Sequence, residues 1–377
     1  MTPPLLKDAP IEKGTRVLLR AGLNVPTDAV GIPADSFRLS RALPTIEYLA
    51  ERGARTIIVA HLGREGTTLS HVAEALQKLT NKTTIRFFEK SLEDAAKETI
   101  VDGECLLLEN IRREEGEEKN DPALAHRLAA LGDIFVNDAF ADSHRAHASI
   151  VGVAGLCAGF AGLLMQEEVE HLSYALKPPQ GSIAIVGGAK FETKEPLITK
   201  LLGLYAQVCV GGALANDFFK TLGLPMAAST TSRAAVPEAL AHDPRILLPV
   251  DGVLQDSGGL RTAPVAQIKE DEKMQDAGPA TVSAWERAIA SAPLILWNGT
   301  LGVCEDGFAE GTTGLAQVIS EHCQSSDARA IIGGGDTVAA IESIYFEEKN
   351  VFKSTGGGAM LEFLTDGTLV GLDALKG

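Results

Sequence analysis

The chain has 377 residues, 45% of them apolar, with 34 Lys plus Arg against 50 Asp plus Glu and a net charge of −16. At ~150 residues per domain, this length predicts two to three domains with substantial cores. Acidity of this size argues against a protein that coats nucleic acid or anionic membrane, and no apolar run approaches the ~18 residues of a membrane span.

The opening MTPPLLKDAP lacks a charged region followed by an apolar one, so no signal peptide is expected. The five cysteines are scattered, with no CxxC pair and no zinc-type Cys/His spacing, which points to free thiols in a reducing compartment, the cytoplasm. Along the first half, RVLLRA (16–21), TIIVAH (56–61), IRFFE (85–89), ECLLLE (104–109) and DIFVND (133–138) read as buried strands of a parallel sheet. Helical patterns separate them. The pattern in 36–53 ends on Gly53, SHVAEALQKL follows cap candidates Thr67, Thr68 and Ser70, and DPALAHRLAALG offers Asp121 as cap and Pro122 as the first helical residue. This βα alternation predicts an α/β domain.

From Gly159 to Leu176 one helix is expected, stopped by Pro178 and Pro179, as an interdomain connector. The second half repeats the grammar with SIAIVGG (182–188), AQVCVGG (206–212), RILLPVD (245–251), PLILWNG (293–299) and ARAIIGGG (328–335). Open parallel sheets bind ligands beyond the carboxyl ends of their strands, where these glycines sit.

Charge is placed with the same logic. Arg20, Arg38, His61, Arg64, Arg112, Arg113, His144, Arg145 and His147 lie at strand ends or helix starts of the first half. The planar guanidinium fork suits phosphate and carboxylate, so the set predicts a site for a small, multiply anionic ligand. In the second half, GGAK (187–190), GGGDT (333–337) and STGGGA (354–359) read as phosphate cradles, with Lys190 and Lys194 one helical turn apart. Asp336 is a helix cap or a Mg²⁺ ligand. GxxxxGK[ST], GxGxxG after the first strand and GxSxG are all absent, against a P-loop enzyme, a dinucleotide dehydrogenase and a hydrolase elbow.

Taken in order, LRAGLNVP (19–26), FRLSRALPTIEYL (37–49), AHLGR (60–64), LLLENIR (106–112), EEKND (117–121), VNDAFADSHRAHAS (136–149), GGAK (187–190), LPVD (248–251), WNGTLGV (297–303), GGGDT (333–337) and STGGGA (354–359) resemble the phosphoglycerate kinase family over nearly the whole chain. The resemblance implies an α/β fold of two doubly wound parallel-sheet domains facing each other across a hinged cleft. Residues 1–158 with 360–377 would bind 3-phosphoglycerate or 1,3-bisphosphoglycerate, 159–177 would form the interdomain helix, and 178–359 would bind ADP or ATP. It implies substrate-binding roles for Asn24, Arg38, His61, Arg64, Arg112, His144 and Arg145. Nucleotide-binding roles fall on Gly188, Lys190, Lys194, Gly211, Gly212, Asn298, Glu305, Gly334, Gly335, Asp336 and Thr337. Arg38, Lys190, Gly335 and Gly358 would act on the moving phosphoryl group, with Gly356 and Gly357 beside Gly358. Asp336 would carry Mg²⁺, and a cytoplasmic monomer is implied. The reaction implied is reversible in-line transfer between 1,3-bisphosphoglycerate and ADP, in which alignment and a positive surround do the chemistry.

The sequence departs from the family in several places. Arg113 and Glu114 replace its aromatic pair, Thr300 and Cys304 replace its usual Pro and Phe, and Thr193 replaces the Asp before the second lysine. The largest departure is Gly22, where the family has Asp. That loss alone raises an alternative, a catalytically weakened nucleotide-binding relative with a non-enzymatic role. A hydrogen bond to a charged group contributes about 1.5–3 kcal/mol, on the order of 10–150-fold. The expectation is a weakened or rebuilt acid site: Gly22→Asp lowers the KM for 3-phosphoglycerate if the site is weakened, and an unchanged KM shows that it is already compensated.

Overall fold

The computed structural model describes residues 3–63 and 67–376. The chain divides into two compact units: one up to Glu170 and again from Thr368, the other His171–Gly367. These divisions differ from the 158 and 359 limits expected from the sequence.

The first unit carries β1 (Arg16–Ala21), α1 (Phe37–Glu51), β2 (Arg55–Val59), α2 (Ser70–Leu79), β3 (Ile85–Phe88), α3 (Leu92–Lys97), β4 (Cys105–Leu108), α4 (Pro122–Ala129), β5 (Ile134–Asp138), β6 (Ala158–Ala161) and the start of α5 (Leu163–Ala175). Its sheet is parallel throughout, in the order β3-β4-β2-β1-β5-β6. The central strands β1, β2, β4 and β5 are buried along nearly their whole length because helices cover the sheet; Leu19, Ile58, Leu107 and Val136 meet Leu39, Ile46, Val72 and Leu76 of α1 and α2 in one core. Local chemistry sets the helix limits. Asp121 accepts a hydrogen bond from Leu124 N (3.0 Å), Pro122 opens α4, and Gly53 follows α1 at φ 69°. Thr68 and Ser70 do not cap α2; Leu69 occupies that position, and Thr68 Oγ1 accepts from Ser70 N.

The helix expected from Gly159 begins later. Residues 158–161 pair with β5 as an edge strand, and the helix starts at Leu163, where the Asp138 carboxylate accepts from Met165 N (3.0 Å). Gly162 is required there, since a Cβ would run into the Asp138 side chain.

The second unit carries β7 (Ile183–Val186), α6 (Phe191–Leu202), β8 (Gln207–Val210), α7 (Ala213–Thr221), α8 (Glu238–Ala241), β9 (Ile246–Leu247), β10 (Asp251–Asp256), β11 (Gly259–Pro264), β12 (Lys273–Ala277), α9 (Pro279–Ile289), β13 (Leu294–Asn298), α10 (Glu310–Ser325), β14 (Arg329–Gly333), α11 (Gly335–Ala340), β15 (Val351–Lys353) and α12 (Gly358–Asp366). Its parallel sheet runs β15-β14-β13-β7-β8-β9. The order reverses between β7 and β13, which makes their carboxyl ends the topological switch point. RILLPVD yields only the two-residue β9. Its Asp251 instead opens a three-stranded antiparallel sheet, β11-β10-β12, that the apolar pattern did not reveal. After α12, α13 (Val370–Ala374) packs in the first unit, where Gly371 N donates to the Ser143 carbonyl (2.8 Å).

Among the described residues no helix is long and apolar enough to cross a membrane, and the five cysteines are all free.

Candidate functional site

Both units place their polar residues at the carboxyl ends of their parallel strands. In the first unit the centre is Arg20, 1% exposed near the end of β1. Its guanidinium donates to Ser149 Oγ (3.0 Å) and the Ala21 carbonyl (2.7 Å) and lies 3.1 Å from Asp142 Oδ2. Ser149 in turn donates to Glu117 (2.6 Å). His61 Nδ1 stands 3.2 Å from Arg20 Nη2 and 3.3 Å from Asp142 Oδ2.

A second chain of contacts runs through the loops. Arg38 donates to the Asn24 carbonyl, Asn24 Oδ1 accepts from Gly63 N (2.9 Å), and Arg112 donates to the Gly63 carbonyl. Arg145 Nε donates to His144 Nε2 (3.2 Å), and its backbone N–H donates to the Asp142 carbonyl. Asn24, Arg38, His61, Arg112, His144 and Arg145 are thus tied into the loops after β1, β2, β4 and β5. Arg64 lies outside the described residues.

Electrostatics favour an anion here. Burial lowers the His61 pKa, and burial with the field of Arg20 takes His147 down to about 4, so both rings are neutral at pH 7. Burial works against the Asp142 carboxylate, but Arg20 and His61 outweigh it and hold the pKa well below the usual range. Burial raises that of Glu117. The standing charge on the half-buried rim is therefore that of arginines 38, 112 and 145.

In the second unit, four loops pack backbone to backbone at the switch point. Gly212, at φ 64°, leaves no room for a side chain: a Cβ would stand 2.8 Å from both Gly188 N and the Thr300 carbonyl. Gly334 lies against Asn298 and Gly299, and Gly299 N donates to Thr337 Oγ1 (3.0 Å). Met360 of α12 reaches Asn298 Nδ2 (3.5 Å). Of the expected residues of this unit, Gly188, Gly212, Glu305 and Asp336 line a cavity of about 190 Å³; Lys190, Lys194, Gly211, Asn298, Gly334, Gly335, Thr337 and Gly358 do not. A wider groove of about 710 Å³ opens at the amino ends of β3 and β4 and contains none of the expected site residues.

The two lysines do not share a face as the spacing predicted. Lys190 precedes α6 in extended conformation and is exposed, whereas Lys194 lies inside the helix and is buried. Lys194 Nζ donates to Asn298 Oδ1 (2.9 Å), and burial alone brings its pKa down to about 8. Among the described residues it has a neutral partner and no carboxylate within ion-pair distance, an arrangement that leaves a buried cation short of an anion. Asp336 does not cap α11; it is exposed in the first turn, and Gly334 occupies the cap position.

The sequence places Arg20 among basic strand ends but suggests no role for Asp142, Ser149 or Glu117. The signal was present: Arg20 interrupts an apolar strand, and a fully buried arginine demands a buried carboxylate. Asn216, Met274 and Gln275, which also line the cavity, carried no sequence signal.

The model of the family described as phosphoglycerate kinase matches residues 6–367. The chain belongs to the phosphoglycerate kinase family. It is 40% identical to the phosphoglycerate kinase of Pelotomaculum thermopropionicum over 96% of both chains. It is also 40% identical to that of Thermus thermophilus, over 97% of this chain and 98% of the other. Among solved structures, the phosphoglycerate kinase of Coxiella burnetii matches with a TM-score of 0.81 at 35% identity, and that of Pyrococcus horikoshii with 0.87 at 28%. Each covers 99% of this chain and 98% of the other. The chain is accordingly a phosphotransferase with a carboxyl-group acceptor.

One consequence concerns pH. On the reading in which nucleotide phosphates meet Lys194, only its protonated form attracts them, and burial brings its pKa down to about 8. Above that pH, binding must take up a proton, so ADP affinity falls by up to about tenfold per pH unit. Calorimetric titration between pH 7 and 9.5 should show this decline, and Lys194→Met should bind weakly with the decline removed.

Proposed function

We propose that this chain catalyses reversible, Mg²⁺-dependent in-line transfer of a phosphoryl group between 1,3-bisphosphoglycerate and ADP, giving 3-phosphoglycerate and ATP. Lys194 carries the reading, because a buried ammonium that among the described residues is bonded to an amide, at a strand-order switch point, calls for an anionic ligand. The nucleotide phosphates supply it.

On this reading the acid substrate takes the first unit. Arg38, Arg112, His144 and Arg145, with Arg64, hold its phosphate and carboxylate, and Asn24 and His61 orient the glycerate. The nucleotide takes the second unit. Gly211 and Gly212 lie beside the base, Glu305 reaches the ribose, and Gly334, Gly335 and Thr337 surround the phosphates with Gly188, Lys194 and Asn298. Lys190, exposed before α6, follows the phosphoryl group. Gly356, Gly357 and Gly358 offer backbone amides to it. No covalent intermediate is needed, since transfer between two anions depends on alignment and on donors facing the developing charge. The two substrates belong to different units, so turnover requires a hinge motion that brings them together and excludes water.

Mg²⁺ fits the donors available. Among the described residues no group of three His, Cys, Asp or Glu side chains forms a protein cage. Asp336 is an exposed carboxylate on the cavity, as is Glu305, and Mg²⁺ is commonly held by one or two carboxylates together with substrate phosphates. When bound, the ion would neutralise phosphate charge. We place the enzyme in the cytoplasm as a monomer. No observation favours a silent nucleotide-binding relative, since the arginines, both lysines and Asp336 are all present.

The test is turnover of ATP with 3-phosphoglycerate and Mg²⁺, coupled to reduction of the product. Lys190→Ala and Asp336→Ala should each lower kcat by about 10² or more, as removal of a charge-stabilising group does. Full activity in both variants would reject these roles.

A further inference from the structure

We propose that Asp142 is a positioning residue for the acid substrate, holding His61 through Nδ1 and supplying the carboxylate that Gly22 does not. The inference rests on the acid-site reading above and deepens it.

Asp142 is 4% exposed, at the end of the short turn Phe140–Asp142 that follows β5. Its backbone N–H donates to the Ala139 carbonyl (3.0 Å) and folds the turn back over the strand end. Ala21 pairs in register with Asp138, so Gly22 leaves β1 beside that same turn. A Cβ at position 22 would stand 3.6 Å from Ala139 Cα and 3.9 Å from the Asp138 carbonyl, ordinary contact distances. Position 22 therefore has room for a side chain, and positions 22 and 142 are two origins on adjoining strand exits for a carboxylate near the same cations.

The charges facing His61 are Arg20, Arg112 and Asp142. Asp142 is the negative one. Its Oδ2 carries no well-aligned hydrogen bond and lies 3.1 Å from Arg20 Nη2 and 3.3 Å from His61 Nδ1; Arg20 Nη2 also stands 3.2 Å from Nδ1, so Nδ1 gives its proton to Asp142 when Arg20 turns its own N–H to Oδ2. Such a bond is charge-assisted, and that tautomer leaves Nε2 as an acceptor. The surrounding arginines are donors only. The glycerate hydroxyl then donates to His61 Nε2, a bond that a site of guanidinium groups alone does not offer.

The experiment measures KM for 3-phosphoglycerate and for Mg-ATP in the wild type, Asp142→Asn, Gly22→Asp and the double variant. Asp142→Asn should raise the KM for 3-phosphoglycerate about tenfold or more, the scale of a charged hydrogen bond, and leave that for Mg-ATP within about twofold. Gly22→Asp alone should not lower the first KM, but in the Asp142→Asn background it should restore most of the loss. A purely structural role moves both constants or neither, and that result overturns the proposal. So does a Gly22→Asp that lowers KM alone and fails to rescue. Should Asp142→Asn not fold, Asp142→Glu keeps the charge and displaces it by one methylene; the same selective rise is expected, and an unchanged KM overturns the proposal. Absent 3-phosphoglycerate turnover in the wild type would reject the acid-site reading itself. Normal wild-type turnover with an unselective Asp142→Asn rejects this inference alone.

Discussion

Positive charge held out of water at the carboxyl ends of parallel strands is the constraint on which the rest depends. A buried cation is costly unless an anion or a full set of acceptors surrounds it. In the first unit Arg20 is satisfied by Ser149, a backbone carbonyl and Asp142, and it backs a rim of half-buried arginines. In the second unit Lys194 meets the Asn298 side-chain carbonyl as its hydrogen-bond partner among the described residues. The two units thus meet the same problem to different degrees. One neutralises its deepest charge internally; the other holds its deepest charge against a neutral amide.

The fold explains why these groups sit where they do. A parallel sheet covered on both faces exposes its backbone and loops chiefly at its ends, and a reversal of strand order opens a crevice there. There the loops come into backbone contact at Gly212 and Gly299, where a Cβ would meet the backbone of Gly188, Thr300 and Gly187. An antiparallel sheet, β10 to β12, then walls the cavity with Met274, Gln275 and Asp276. Polar side chains on this frame include Lys194, paired with Asn298, and Glu305 and Asp336, which line the cavity.

Much of this was legible in the sequence. Apolar runs such as VLL, TIIV and LILW located the central strands because strands buried on both faces leave no polar alternation to confuse the pattern. The caps at Asp121 and Gly53 were legible because their chemistry is local. The antiparallel sheet was not, because DGVLQD and GLRTAP lie half exposed and carry few apolar residues. The edge strand 158–161 was read as helix because it is short and runs into a genuine one two residues later. Lys190 and Lys194 show the limit of spacing arguments: four residues apart they would share a face, but Lys190 precedes the helix. Asp142 could not be assigned from its motif, because its partners Arg20 and His61 are supplied by two other strand ends.

The central claim is that each unit is an anion site in its own right, built around its own cations. Calorimetric titration of 3-phosphoglycerate and of Mg-ADP into Arg38→Ala and Lys194→Met tests it most directly. The account predicts that Arg38→Ala weakens 3-phosphoglycerate binding about tenfold or more, as expected for a lost charged hydrogen bond, and keeps Mg-ADP affinity within about twofold. Lys194→Met should do the reverse. Both ligands weakening together in either variant, or neither weakening, would contradict it.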